Sequence, residues 1–133
     1  MDQTDYRYNL EYRGAVHAQM LALAKGLIAG DLGVIAAARQ LHGFLDIPDP
    51  EISVLIDLFT AIRSDTDALP IGEERSLWNS EALAREDKKV AAAEQAWRAE
   101  AIIAATQLVR ILEQDVHETR LGRPYSASTP PRP

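Results

Sequence analysis

The chain has 133 residues, fourteen basic and twenty acidic side chains, a formal charge of −6 and no cysteine. That length supports one domain with an apolar core and no cross-links. The missing cysteines exclude disulfides, thiolate catalysis and Cys-ligated zinc. The basic residues are dispersed among acids, so no patch stands ready to neutralise phosphates, and direct nucleic-acid binding is not expected. The apolar content leans on Ala and Leu with few aromatics, which favours helix over sheet. Met1-Asp2-Gln3-Thr4-Asp5 is acidic where a secretory leader would be basic. The most apolar stretch, Met20 to Ala29, contains Lys25 and is too short to span a bilayer. A cytoplasmic protein with no membrane contact is expected.

Residues 1–8 are polar and expected to be disordered. A first helix is expected from about Asn9 to Ala29, with Val16, Met20, Leu23 and Leu27 on one stripe. Gly14 and Gly26 weaken it but permit close approach of another helix. Gly30 has the position of a C′ residue in positive φ, and Asp31 that of the next N-cap. The second helix should run from Leu32 to His42 or Leu45, with Val34, Ala38, Leu41 and Leu45 inward and Gly43 a possible early stop. Asp49-Pro50 reads as a cap followed by proline at the first helical position. The third helix, from Pro50 to about Arg63, should bury Ile52, Leu55, Ile56 and Phe59. Its partners Ser53, Asp57 and Thr60 should face outward. The connections are short, so neighbouring helices should be antiparallel.

A long irregular segment, 64–79, follows. Loops of that length within a compact domain are uncommon and often functional. Leu69, Pro70, Ile71, Leu77 and Trp78 make it too apolar for a solvated linker, so it is expected to be ordered, with a helical turn around Glu73–Trp78. From Ser80 to about Glu118 no Pro or Gly occurs, and Leu83, Val90, Trp97, Ala104 and Ile111 recur every seven residues. The i,i+4 pairs Glu81/Arg85 and Glu94/Arg98 support this helix. It would be about 57 Å long at 1.5 Å per residue, against a radius of gyration of about 14 Å for a domain of this size. One end must project or find a second partner. Apolar residues on more than one face of its C-terminal half point to a homodimer through Val109 and Leu112. The alternative is that the first helix covers that face within one chain. The tail at 122–133 holds four of the seven prolines and is expected to be disordered. The whole reads as an all-α protein: one helical domain at 9–121, a small antiparallel bundle of about four helices with a long C-terminal helix and an ordered loop at 64–79.

Chemistry-bearing residues are sparse. Asp65, Asp67, Glu73 and Arg75 cluster in the loop, and clustered carboxylates bind hard cations. The calcium-loop template fails, because counting from Asp65 puts Pro70 where glycine is needed and Ser76 where the bidentate glutamate belongs. Asp65 and Asp67 are then more simply turn-capping groups. His17, His42 and His117 lie on three different helices without metal-ligand spacing. No nucleophile elbow, phosphate loop or dinucleotide fingerprint is present. No catalytic residue, metal or cofactor is therefore assigned. Trp97 is expected in the core. Trp78 either pins the loop to the bundle, the favoured reading beside Leu69 and Leu77, or anchors a partner.

The run Asp65-Thr66-Asp67-Ala68-Leu69-Pro70-Ile71-Gly72-Glu73, followed by Arg75, Trp78 and the stretch from Glu81 to Asp87, resembles a family of small uncharacterised bacterial proteins. That family has an early helix rich in small residues, a Thr-Asp-x-Leu-Pro-x-Gly loop and a long Glu/Ala-rich helix. The resemblance covers roughly residues 14 to 112. It implies a shared fold and a privileged loop, and no activity. Two functions compete. One is a non-catalytic protein-binding module of immunity or adaptor type, whose acidic surface suits a basic protein partner; this is analogy at the level of fold. The other is a small enzyme or a ligand- or metal-binding protein using Asp57, Asp65, Asp67 and Glu73 as bases or ligands and Arg75 as an anion clamp. Binding residues are expected among Asp65, Asp67, Glu73, Arg75 and Trp78.

Overall fold

The computed structural model describes residues 10–120, with the side chains of Glu74 and of 115–120 left aside. The expected disordered ends, the outer bounds of the expected domain and the side chain of His117 lie outside the described residues. Four helices follow one another: α1 Leu10–Ala29, α2 Val34–Leu41, α3 Pro50–Asp65 and α4 Ser80–Arg120. Single 3-10 turns lie at His42–Phe44 and Gly72–Leu77. Among the described residues there is no strand, and the chain is an all-α bundle.

The helices form where local chemistry asks for them. The Asp49 carboxylate accepts hydrogen bonds from the amides of Glu51 at 3.1 Å and Ile52 at 3.4 Å, and Pro50 occupies the first helical position. α4 opens the same way, with the Asn79 side chain accepting from the Ala82 amide at 2.8 Å. α1 closes at Gly30, whose φ is 84°. The Asp31 amide reaches back to the Gly26 carbonyl at 2.9 Å and the Gly30 amide to Leu27 at 3.1 Å. This is the Schellman arrangement, which needs a residue free to adopt positive φ.

α2 starts differently from expectation. Its first residue is Val34, its N-cap is Gly33, and no local side chain caps it; Asp31 stays exposed. The cap comes from sixty residues away. Glu94 on α4 accepts hydrogen bonds from the amides of Val34 at 2.7 Å and Ile35 at 2.9 Å, one to each carboxylate oxygen. The charge also sits at the positive end of the α2 dipole. Gly33 has φ −70° and ψ 162°, open to any residue, so glycine is wanted there for space. A Cβ at that position would lie 3.2 and 3.3 Å from the two carboxylate oxygens. One turn along α4, an Arg98 guanidinium nitrogen lies 4.0 Å from where a Cβ on Gly30 would stand. That places a cation at the negative end of α1.

These contacts also give the directions. Along α1 from Gly30 back to Lys25, the α4 neighbour advances from Arg98 to Glu113, whose carboxylate lies 3.0 Å from the Lys25 ammonium. α1 and α4 are therefore antiparallel. Arg39 meets the segment after α3 at Thr66 and Leu69, while His42 Nδ1 lies 3.1 Å from the Thr60 hydroxyl, so α2 and α3 are antiparallel too.

One core runs through all four helices. Met20, Leu27, Ile35, Leu41, Ile56 and Phe59 are among its fully buried members. The α1 stripe extends further toward the N-terminus than its apolar residues, because Arg13 and His17 are each only 2 % exposed. On α4 the buried residues are confined to one half: Ala101, Ala104, Ala105, Leu108 and Leu112. Between Ser80 and Glu100 no side chain is fully buried.

That distribution corrects the expected dimer surface. Leu112 has no exposed area, and Val109 is half-buried against the same core. α1 covers this half of α4 within one chain. Turning Leu112 outward to meet a second copy would forfeit about 1.5–3 kcal/mol of burial. The other half projects instead. The helix is 41 residues long, about 60 Å at 1.5 Å per residue, and its N-terminal portion runs past the ends of α1, α2 and α3.

Replacing Glu94 with Ala is expected to cost about 1–2 kcal/mol, the range for a lost helix cap, and Gln should retain part of that through its amide oxygen. Gly33→Ala should destabilise the native chain but not the Glu94→Ala variant, where the space is vacant. A four-corner denaturation cycle measures this coupling. Strictly additive effects would show that the carboxylate and Gly33 do not share that space.

Candidate binding site at the acidic end

The loop between α3 and α4 is ordered, and three attachments hold it. Asp65 belongs to the last turn of α3. Its carboxylate accepts a hydrogen bond from the Trp97 indole nitrogen at 2.9 Å, tying the end of α3 to the middle of α4. Thr66 is buried, with 1 % exposure, and its hydroxyl donates to the Ile62 carbonyl at 2.7 Å. Arg39 on α2 donates from one guanidinium nitrogen to the carbonyls of Thr66 at 3.0 Å and Leu69 at 2.7 Å. A half-buried cation thus satisfies two carbonyls that the end of α3 leaves open. Pro70 is buried beyond this point.

The third attachment is Arg75 on the Gly72–Leu77 turn. It meets Asp87 on α4 through two near-parallel bonds, Nη1 to Oδ1 at 2.6 Å and Nη2 to Oδ2 at 3.3 Å. The Asp87 carboxyl is held below its ordinary value, first by that hydrogen bond and then by the positive charge of Arg75; Arg75 is raised by the same contact. The turn itself is closed by the Ser76 hydroxyl, which donates to the Glu73 carbonyl at 2.9 Å, and begins at Gly72 with φ 62°.

The structure therefore separates the expected site residues. Asp65 and Arg75 are fastenings of the loop, each with a partner on α4. Asp67 and Glu73 are exposed on the loop surface. Asp57 stands on α3 eight residues before Asp65, about 12 Å along the helix, and does not join them. Among the described residues no group of three or more His, Asp or Glu side chains is placed to hold a metal ion. Two concavities of about 490 and 550 Å³ lie between α1 and the stretch from Leu32 to Pro48, and none of the expected site residues lines either.

Trp78 lies at the edge of the loop with more than half of its surface covered. It is 39 % exposed, and its neighbour Leu77 is 86 % exposed. The apolar residues of the loop differ in exposure: Pro70 is buried, Leu69, Ile71 and Trp78 are partly covered, and Leu77 stands open. Trp97, expected in the core, lies half-buried at its edge. Its indole nitrogen takes Asp65 as the partner that such a group needs when partly desolvated. Arg39, Asn79 and Glu94 were not among the expected site residues. The signal for Glu94 was Gly33 itself, a helix start with no side chain able to cap it.

Arg39→Ala should cost about 2–3 kcal/mol, as for charged hydrogen bonds left unmade, and should speed amide exchange at residues 66–71. An unchanged exchange rate there would show that the guanidinium does not hold the loop. Asp87 has a lowered folded pKa, so its contribution is complete above the ordinary carboxylate pKa and is lost as pH falls through the folded value. Amide signals of residues 72–77 should accordingly stay constant at neutral pH and broaden in acid. Asp87→Asn should show the loosened state throughout. The same acid transition in that variant would assign it to another group.

The chain matches no family model, no curated protein and no solved structure.

Proposed function

We propose that the chain is a non-catalytic protein-binding module that docks a partner at the loop end of the bundle. The observation that carries this reading is the outward pair Leu77–Trp78 on a turn fastened by Arg75 to Asp87. Large apolar groups held at the surface by ordered backbone are the usual anchors of protein interfaces, because little conformational freedom remains to be lost on binding. A resident core function for these two side chains is not needed. The loop motif's resemblance to a family of small bacterial proteins and the immunity- or adaptor-type role belong to the same proposal.

The second reading, an enzyme or a metal- or ligand-binding protein built on the loop acids, is less well supported. Asp65 and Asp87 already serve Trp97 and Arg75, and Asp57 lies apart. A homodimer through Val109 and Leu112 is not proposed, since Leu112 belongs to the chain's own core. No helix among the described residues is long and apolar enough to cross a membrane.

Leu77→Ser should change stability by only about 0.5 kcal/mol, the range for surface substitutions, whereas Trp78→Ala should cost about 1.5–3 kcal/mol, because more than half of its surface is covered. A loss of about 3–5 kcal/mol for Trp78→Ala, the cost of emptying a buried aromatic site, would return Trp78 to a structural role. Thermal melts with chelator and with added calcium, magnesium or zinc should superimpose. A rise of several degrees with one ion, abolished by Asp65→Asn or Asp67→Asn, would favour the metal-binding reading.

A further inference from the structure

The two concavities beside α1 share Gln19 and Phe44 in their linings and so form one groove. Along α1 it reaches from Tyr12 to Gly26, about 21 Å at 1.5 Å per residue. Its Tyr12 end is aromatic and apolar. Tyr12 is 43 % exposed, Phe44 and Ile47 are half-buried, and Pro48 is exposed beside them. Gly43 belongs to the same rim. Its φ is not positive, and a Cβ there would meet nothing within 4 Å. The fold itself makes no demand for glycine at this position; what glycine leaves is room for a second backbone to come close.

Charge narrows the occupant. The two stretches that build this end, 10–19 and 43–51, hold four acids, Glu11, Asp46, Asp49 and Glu51, against one basic residue, Arg13. Asp49 is engaged as the α3 cap and Arg13 is buried. Glu11, Asp46 and Glu51 remain exposed, three negative charges with no exposed cation from the same stretches. The sequence holds one segment of matching chemistry. Beyond Arg120, the last residue of α4, positions 121–133 carry four prolines, two arginines and no acid. α4 runs antiparallel to α1, so this segment leaves the bundle toward the Tyr12 end. Helix axes about 10 Å apart put opposite corners of a four-helix bundle about 14 Å from one another. At about 3.1 Å per residue the segment spans about 40 Å, enough to cross the end of the bundle and enter the groove.

We propose that residues 121–133 dock back on their own chain in this groove, with prolines against Tyr12, Phe44 and Pro48 and with Arg123 and Arg132 facing Glu11, Asp46 and Glu51. Proline-rich chain suits an aromatic-lined groove because each proline has already given up its φ freedom, so little is lost on binding. The charges set the orientation. The tether supplies an effective concentration of the order of millimolar, so a contact too weak to hold a free peptide holds this one. The site lies at the opposite end of α4 from Trp78 and does not depend on the protein-binding reading.

The chain has no cysteine, so Ser128→Cys takes a single nitroxide label on the full, isotope-labelled protein. The amides of Gly43 and Phe44 and the side-chain amide of Gln19 are expected to broaden in NMR spectra. Those of Val54 and Asp57, exposed on α3, should keep their intensity, although α3 also packs beside α4 and an undocked segment would visit both sides. Arg123→Glu with Arg132→Glu should lower the docked-to-free ratio about tenfold, as for two edge pairs turned repulsive. Glu11→Lys with Asp46→Lys should do the same from the groove side, and the two pairs of substitutions combined should restore the broadening. A mixture of spin-labelled, isotope-free chain with isotope-labelled, spin-free chain should show none. Broadening in that mixture would transfer the docking to a second copy and overturn the intramolecular assignment. Equal broadening on α3, no broadening at Gly43 and Phe44, or a pattern that ignores both pairs of substitutions would overturn the docking altogether.

Discussion

The architecture depends on one carboxylate. Glu94 places its two oxygens on the first amides of α2, and its neighbours on α4 meet the other two helix ends. Trp97 takes the carboxylate that closes α3, and Arg98 stands beside the glycine that closes α1. Three helix termini are thus gathered within little more than one turn of α4. Each is met by the group its chemistry needs: a negative charge at an N-terminus, a positive one at a C-terminus, and a donor for an acid. This level sets the register of α4 against everything else. Residues C-terminal to it form the fourth wall of the core, and residues N-terminal to it extend past the bundle.

Much of the fold was legible in the sequence because the signals were local. Asp49-Pro50 and Gly30 announced their helix ends through side chains and backbone freedom within a few residues. The stripes at Val16–Met20–Leu27 and Ile52–Ile56–Phe59 announced their faces through period alone. The start of α2 was misplaced because its cap lies sixty residues away, and Asp31 offered a plausible local substitute. α4 was harder still. A heptad of apolar residues along its whole length says that a face is apolar, not which part of the face has a partner. Ile111 and Leu83 look alike in that pattern, yet Ile111 packs against the core and Leu83 is not among the residues that do. The dimer expected through Leu112 came from counting apolar faces without knowing that the other three helices of the same chain pack against this half of α4.

The loop carried two readings in the sequence, a chemical one and a turn-capping one. Its acids and arginine drew attention as chemistry, yet Asp65 and Arg75 are fastenings whose partners, Trp97 and Asp87, sit far along the chain. Apolar content correctly indicated order, but composition could not separate Pro70, which is buried, from Leu77, which stands open. The deciding element was Arg39 on α2. By gathering two carbonyls at the end of α3, it fixes the path of the chain at Leu69, just before the buried Pro70.

A helix of 41 residues without glycine or proline, buried on one half only, has a gradient of local stability along its length. Opening from its Asn79 end exposes no fully buried residue and breaks backbone bonds, the Asn79 cap, the Glu86–Lys89 pair and the Arg75–Asp87 contact, so excursions there cost less than in the bundle. The first opening that reaches Glu94 also uncaps α2, and the cost rises abruptly because two helices must loosen together. Fraying of the outer turns therefore stops at that point. The exposed end of the molecule can breathe and adapt its shape while the bundle behind it remains closed.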